Sequence, residues 1–278
     1  MPKAAVIIAV YNRMDFLRLV FAGLEKQTEQ DFEVLIADDG SGSAFVSALK
    51  AIAQQSPLCI RHFWHEDAGF RKNRILNEVV RQSKSEYLIF LDGDCIPHPE
   101  FVREHLLAAE ANTCLAGRRV DLSARLTNLL TPEKIRTGYL QKPATVSAML
   151  GDFLQRKSTF FMYGIYTRHV FLRRFFNRKD RGLLGANFSL HKATLQAING
   201  FDERYTAPTF GEDSDIELRL RLAGTRIKSV LNMAVVYHCN HKLLSRENNS
   251  YELYLNAVKE ARPFTPYGLL QDPPAAAE

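Results

Sequence analysis

The sequence has little sulfur chemistry. Its 278 residues hold four cysteines, at 59, 95, 114 and 239, and none are spaced as Cys-x-x-Cys. That excludes a zinc ribbon or dithiol redox motif and makes reduced thiols in a cytosolic compartment the expectation. Long apolar runs are missing too. The apolar start, Ala4-Ala5-Val6-Ile7-Ile8-Ala9-Val10, is too short to span a bilayer. It runs into Tyr11-Asn12-Arg13 without a signal-peptide cleavage pattern. No transmembrane helix is expected, so any membrane contact would be peripheral. Charge is not strongly one-sided: a net charge of +5 and a pI near 9.0 suit nucleotide phosphates, acidic lipid or nucleic acid without choosing among them. With 46% hydrophobic and 24% charged residues, the chain reads as a soluble globular protein. Its length suits one large α/β domain, or a domain with an insertion.

What is present is alternation. Residues 6–10, 32–37, 59–64 and 87–91 read as strands. Residues 14–27, with Phe16, Leu19, Val20 and Leu24 at helical spacing, read as a helix, as do 44–55 and 73–83. Such a pattern implies a mostly parallel sheet with right-handed crossovers, whose ligands sit at the carboxyl ends of the strands. Asp38-Asp39 ends the second strand, and Asp92-Gly93-Asp94 ends the fourth. Two carboxylates at a sheet edge can grip a divalent metal. Asp-Gly is also a favoured turn dipeptide, so a tight turn is the competing reading.

Residues 124–181 are basic and aromatic. They read either as an inserted pair of helices packed on the main domain or as an amphipathic surface resting on an anionic membrane. Further on, Ile216, Leu218, Leu220 and Leu222 alternate as in a strand. Good helix formers, with acids leading and arginines trailing, predict a helix over 214–223 instead. Residues 229–237 read as one extended run delivering His238-Cys239-Asn240-His241, and 271–278 as a disordered tail. His65-Glu66-Asp67 lacks a second histidine at helical spacing, so no zinc-protease site is expected there.

In this order the motifs Val10-Tyr11-Asn12-Arg13, Ala37-Asp38-Asp39-Gly40-Ser41, Leu91-Asp92-Gly93-Asp94 and Gly211-Glu212-Asp213 resemble the family 2 glycosyltransferases of the GT-A fold. Ala68-Gly69-Phe70-Arg71 with Arg74, and Asn199-Gly200-Phe201-Asp202-Glu203, are similar to bacterial galactosyl- and chondroitin-type transferases. The resemblance covers most of 4–124 and 182–241. It implies an α/β GT-A fold, with a mostly parallel central sheet flanked by helices and a helical insertion. Residues 1–123 would be the nucleotide-sugar-binding half, 124–181 the insertion, 182–245 the acceptor and catalytic half, and 246–278 a C-terminal extension.

The resemblance also implies an activity. It is inverting, metal-dependent transfer of a hexose or N-acetylhexosamine from a UDP-sugar to a saccharide or lipid-linked saccharide. The product would belong to a bacterial cell-surface glycan such as lipopolysaccharide, O-antigen or capsule, made in the cytoplasm or at the inner face of the plasma membrane. Asp94 would bind the metal directly, with His238 as second ligand and His241 as its rival three residues on. Asp92 would act through water or hold sugar or ribose hydroxyls. Asp39 would accept from the uracil ring, Tyr11 and Asn12 would lie beside the nucleotide, and Arg71 would contact phosphate. Asp213 would be the general base and Glu212 would orient hydroxyls. An imidazole in the set favours Mn2+ over Mg2+. Two alternatives compete. A sugar-phosphate nucleotidyltransferase would carry a Gly-rich loop where Tyr11-Asn12-Arg13 stands. A non-catalytic basic binding protein would meet nucleic acid with acidic strand ends, so no nucleic-acid partner is expected.

Overall fold

The computed structural model describes residues 1–178, 181–207, 212–242 and 250–270; of Glu212 only the backbone is described. The tail expected at 271–278 and the Gly211 motif position lie outside the described residues. The first half runs β1 (Ala4–Val10), α1 (Met14–Leu24), β2 (Phe32–Asp38), α2 (Ser43–Gln55), β3 (Ile60–Trp64), α3 (Lys72–Gln82) and β4 (Tyr87–Asp92). Then follow β5 (Cys95–Pro97), α4 (Phe101–Ala108), β6 (Thr113–Ala116) and β7 (Arg118–Asp121). Four short helices come next, α5 (Ala124–Leu129), α6 (Pro132–Arg136), α7 (Pro143–Leu154) and α8 (Val170–Phe176). The described chain continues with β8 (Asn187–His191), α9 (Lys192–Ala197), α10 (Glu212–Leu222), β9 (Arg226–Ser229), β10 (Val235–His238) and α11 (Tyr251–Glu260).

β1 is apolar throughout because both of its faces are covered. Ala4, Val6 and Ile8 enter one core while Ala5 and Ile7 enter the other, across the sheet. The main sheet has the order β3-β2-β1-β4-β8-β6-β9. β1, β2, β3 and β4 are parallel, and β8 runs antiparallel to both β4 and β6. Strand order reverses between β1 and β4. A doubly wound sheet opens a crevice for ligands at such a point, beyond the carboxyl ends of those two strands.

A second sheet, β5-β10-β7, stands beyond that crevice. Its register sets His238 opposite Cys95 on one side and opposite Asp121 on the other. Behind it lies a third core, where Ile96, Val235 and Tyr237 meet Phe16 and Leu19 of α1 and Leu126, Ile135 and Met149 of the 124–181 segment. That segment is therefore not a pair of helices but four short ones, with single 3-10 turns at Tyr139–Gln141 and Phe161–Gly164. Side-chain caps set two of its helix starts: Ser123 accepts from the Leu126 N–H, and Thr131 from the Lys134 N–H ahead of Pro132.

Two sequence patterns resolve against each other in the last third. α10 is a helix because only Ile216 and Leu220, four apart, reach the core, while Leu222 is exposed. The single extended run expected over 229–237 is instead two strands in two different sheets. Between them the chain turns, with Asn232 at φ +60°. Its side-chain amide donates to the carbonyls of Met162 and Ile165, which holds the turn.

Candidate active site

The crevice is an open cleft of about 330 Å³, walled by the ends of β1, β2 and β4 and by the chain before α3. At its β2 end, Asp39 is nearly buried and already well supplied with donors. The Arg71 N–H donates to Oδ2 at 2.9 Å, and His65 Nε2 lies 2.8 Å from Oδ1. Burial raises the Asp39 pKa, and these two partners oppose the rise. The Tyr11 hydroxyl donates to Asp67 Oδ2 at 2.9 Å across the cleft mouth. Gly40, at φ +92°, lets the loop pass there, since a Cβ would lie 2.6 Å from Asp67 Cα.

Asn12 does not face the cleft in this way. Its Oδ1 accepts from the Gly42 N–H at 2.9 Å and its own N–H donates to Ser41 Oγ, which pins the β1 loop to the β2 loop. The Arg71 guanidinium donates to the Glu66 carbonyl, and its buried Nε–H has no hydrogen-bond partner among the described residues.

Asp92 and Asp94 diverge. Asp92 is the last residue of β4, and its Oδ1 lies 3.3 Å from Lys72 Nζ. Gly93 and Asp94 form the tight link from β4 into β5, as the turn reading expects. The Gly93 N–H donates to the Ala9 carbonyl at 3.0 Å, and a Cβ at 93 would sit 2.8 Å from Val10 Cγ1. The link carries Asp94 over to the small sheet.

There Asp94, His238 and His241 present one ligand atom each, all within 4.8 Å of one another. Asp94 Oδ2 lies 2.9 Å from His241 Nε2 and 3.5 Å from His238 Nε2. His238 Nδ1 faces Asp121 Oδ1 at 3.0 Å, and His241 Nδ1 faces the Lys242 carbonyl at 3.0 Å. A carboxylate and a carbonyl can only accept, so each Nδ1 carries a proton, and each Nε2, on giving up its own proton, can turn a lone pair to the cluster. This donor set fits a divalent ion: one carboxylate and two oriented imidazoles, with Asp121 supporting from behind. Asp121 is fixed in turn by the Thr159 hydroxyl and by Arg119 Nε at 3.3 Å. Burial would raise the Asp94 pKa, but the two histidines outweigh it and hold the carboxyl well below its usual range. For His238, burial is outweighed by Asp121 and Asp94, and its pKa rises to about 9.

Beyond Lys72, a narrow hollow with room for about one water molecule is lined by Asp92, Gly185 and Asp213. The Gly185 N–H donates to Asp213 Oδ2 at 2.8 Å. A Cβ on Gly185 would fall 2.2 Å from Asp213 Oδ1, so only glycine admits this carboxylate. Burial raises the Asp213 pKa. Lys72 and the Gly185 N–H work against the rise, and Asp92 adds to it. Glu212 lies outside the described side chains.

Of the residues singled out from sequence, Tyr11, Asp39, Asp92 and Asp94 line the cleft, His238 and His241 close on Asp94, and Asp213 joins Asp92 through the hollow. Sequence reasoning passed over Asp121, Lys72, His65 and Asp67. The last two belong to the very tripeptide set aside as no protease motif, and their position after β3, beside the other strand ends, was the available signal.

A family model described as glycosyl transferase family 2 matches residues 5–179, and one described as the N-terminal domain of galactosyltransferase matches 168–242. The chain is 29% identical to the chondroitin synthase of Escherichia coli over 84% of its own length. It spans about a third, 34%, of that relative. It is 22% identical to the GalNAc(5)-diNAcBac-PP-undecaprenol beta-1,3-glucosyltransferase of Campylobacter jejuni, covering 94% of this chain and 74% of the relative. Among solved structures it is similar to the mannosyltransferase PcManGT from Pyrobaculum calidifontis in complex with GDP-Man and Mn2+. The TM-score is 0.55 at 16% identity, over 91% of this chain and 61% of that one, a likeness of fold.

Proposed function

Because the chain belongs to glycosyl transferase family 2, we propose that it moves a hexose or N-acetylhexosamine from a UDP-sugar to a saccharide acceptor, with inversion. The observation that carries this reading is the trio Asp94, His238 and His241 beside a nucleotide-sized cleft, with Asp213 held on the far side of Asp92. The uracil end is Asp39 and Tyr11. Asp39 keeps one unused lone pair on Oδ2 for a ring N–H, because Arg71 and His65 occupy the others. Asp94, His238 and His241 would hold the divalent ion, and the imidazoles favour Mn2+. Bound there, the ion supplies Lewis-acid stabilisation to the diphosphate.

Asp92 and Lys72 stand between the cleft and Asp213, and the transferred sugar would lie in the cleft beside them. The acceptor hydroxyl oxygen attacks the anomeric carbon, and its proton passes to Asp213. The bond from that carbon to the β-phosphate oxygen breaks, and its electron pair leaves with UDP. One displacement inverts the centre, so an α-linked donor gives a β-glycoside. The raised pKa of Asp213 makes it a better base than an ordinary carboxylate.

The acceptor class we infer is a growing bacterial cell-surface glycan, free or lipid-linked. The chondroitin synthase and undecaprenol-linked glucosyltransferase likenesses support that class. Titration calorimetry tests the reading. UDP should bind in the presence of Mn2+, and Asp94→Ala should weaken it. Absence of UDP binding with or without Mn2+ refutes it. Screening UDP-sugars for Mn2+-dependent hydrolysis then names the donor.

A further inference from the structure

α8 buries none of its residues. Arg173 ties it to the body: the guanidinium donates to Glu104 Oε1 at 2.6 Å and to the Thr167 carbonyl at 2.7 Å. At its end Asn177 exchanges hydrogen bonds with the Leu231 backbone at 2.8 and 3.0 Å. Apart from half-buried Phe176, the rest of the helix faces solvent. Phe171 is 74% exposed, Phe175 62%, Val170 59% and Leu172 45%. Phe171 and Phe175 are one turn apart on one face, and Val170 pairs in the same way with exposed Arg174. The Arg178 guanidinium carbon lies 5.6 Å from the Phe175 ring centre.

A helix with an uncovered apolar face needs something to cover it. Charge says what. Residues 153–178 carry six cations, Arg156, Lys157, Arg168, Arg173, Arg174 and Arg178, and no acid. Glu100 and Glu104 engage Arg168 and Arg173 from the body, whereas Arg174 and Arg178 are exposed beside the phenylalanines. A second copy stacked on this face would set like charges together. An anionic bilayer offers acyl chains to the rings and headgroup phosphates to the guanidiniums.

We propose that α8 docks the protein on an anionic membrane surface. Phe171 and Phe175 enter the acyl boundary while Arg174 and Arg178 lie among the headgroups. The docking does not depend on the reading of the cleft, and its test reads binding alone.

The test is co-sedimentation of the full chain with vesicles. The protein pellets with equal parts phosphatidylcholine and phosphatidylglycerol, stays in solution with phosphatidylcholine alone, and is released by salt. Phe171→Ser/Phe175→Ser and Arg174→Glu/Arg178→Glu each weaken binding roughly tenfold or more. Lys50→Glu/Lys84→Glu makes the same charge change at exposed positions outside this segment and keeps most of the binding. Circular dichroism melts check that every variant folds. Equal loss in the Lys50/Lys84 variant overturns the proposal, because bulk charge then suffices. So does full binding by the serine variant, or a dimer in sedimentation velocity that the serine variant dissolves, which would make a second copy the occupant.

Discussion

Replacing Asp121 with asparagine keeps the shape of the side chain and removes its charge, isolating the support behind His238. Asp121 Oδ1 lies 3.0 Å from His238 Nδ1, and Thr159 and Arg119 hold the carboxylate in place. An asparagine oxygen can still accept the Nδ1 proton. The bond then loses its charge-assisted part, which makes such contacts roughly twice as strong as neutral ones. Supports of this kind are worth about 10- to 100-fold in metal affinity. With the hydrogen bond conserved, the lower end is expected, a roughly tenfold weaker Kd for Mn2+, or about 1.4 kcal/mol. Asp121→Ala should approach the upper end. The substitution also loosens the grip of His238 on its own proton, whose pKa Asp121 helps raise to about 9. The loss should therefore be smaller at pH 6 than at pH 8. Calorimetric titration of Mn2+, with and without UDP, reads both effects. Unchanged Mn2+ affinity in Asp121→Asn, beside a clear loss in Asp94→Ala, would refute the assigned support.

Gly185→Ala should push the Asp213 carboxylate aside, since its Cβ would lie 2.2 Å from Oδ1. A displacement of that order costs about 10²-fold in kcat while UDP binding stays intact, and equal losses of both would point to misfolding. Arg219→Ala strands the buried Asp215, whose Oδ2 lies 2.6 Å from Arg219 Nη2. Urea melts should show a loss of about 3–5 kcal/mol, and a loss under about 1 kcal/mol would contradict the pairing. His105, fully buried between Ser189 and Asn187, has its pKa lowered by burial to about 4. Unfolded chain takes up that proton below about pH 6.5 and folded chain only below about 4. Stability is therefore full above that window and falls through it with decreasing pH, by up to about 3 kcal/mol. His105→Gln should flatten the urea-midpoint slope between pH 4 and 6.5, and an unaltered slope would count against it.

Strands β1 to β4 of the main sheet were legible, most plainly where burial on both faces writes itself as an unbroken apolar run, as in β1 and β4. The short strands β6, β8 and β9 were not. The helix at Ile216 and Leu220 was legible through composition even though spacing misled. The second sheet was not legible. β5 and β7 are three and four residues long, and Arg118-Arg119-Val120-Asp121 buries Val120 alone. A pattern that short carries no period, so Asp121 had no context to mark it. The 229–237 run misled for a related reason: apolar residues continue through Val230 and Leu231, which are buried in a turn rather than a strand. Asp92, which ends a long apolar run, is marked in the sequence, and Asp94 follows it by two positions. Their partners across a short sheet emerge only when the register is known.

β10 lies between β5 and β7 and bonds to both, yet it follows β7 by more than a hundred positions in the chain. As the polypeptide leaves the ribosome, the two outer strands are made first and must wait for the middle one. Until it arrives, Asp94 and Asp121 belong to edges with nothing between them. Both imidazoles travel on the late piece, His238 within the strand and His241 just after it. A nascent chain could already display the Asp39 and Asp92 strand ends while having no imidazole to grip an ion, so metal capture would mark the closing step of folding.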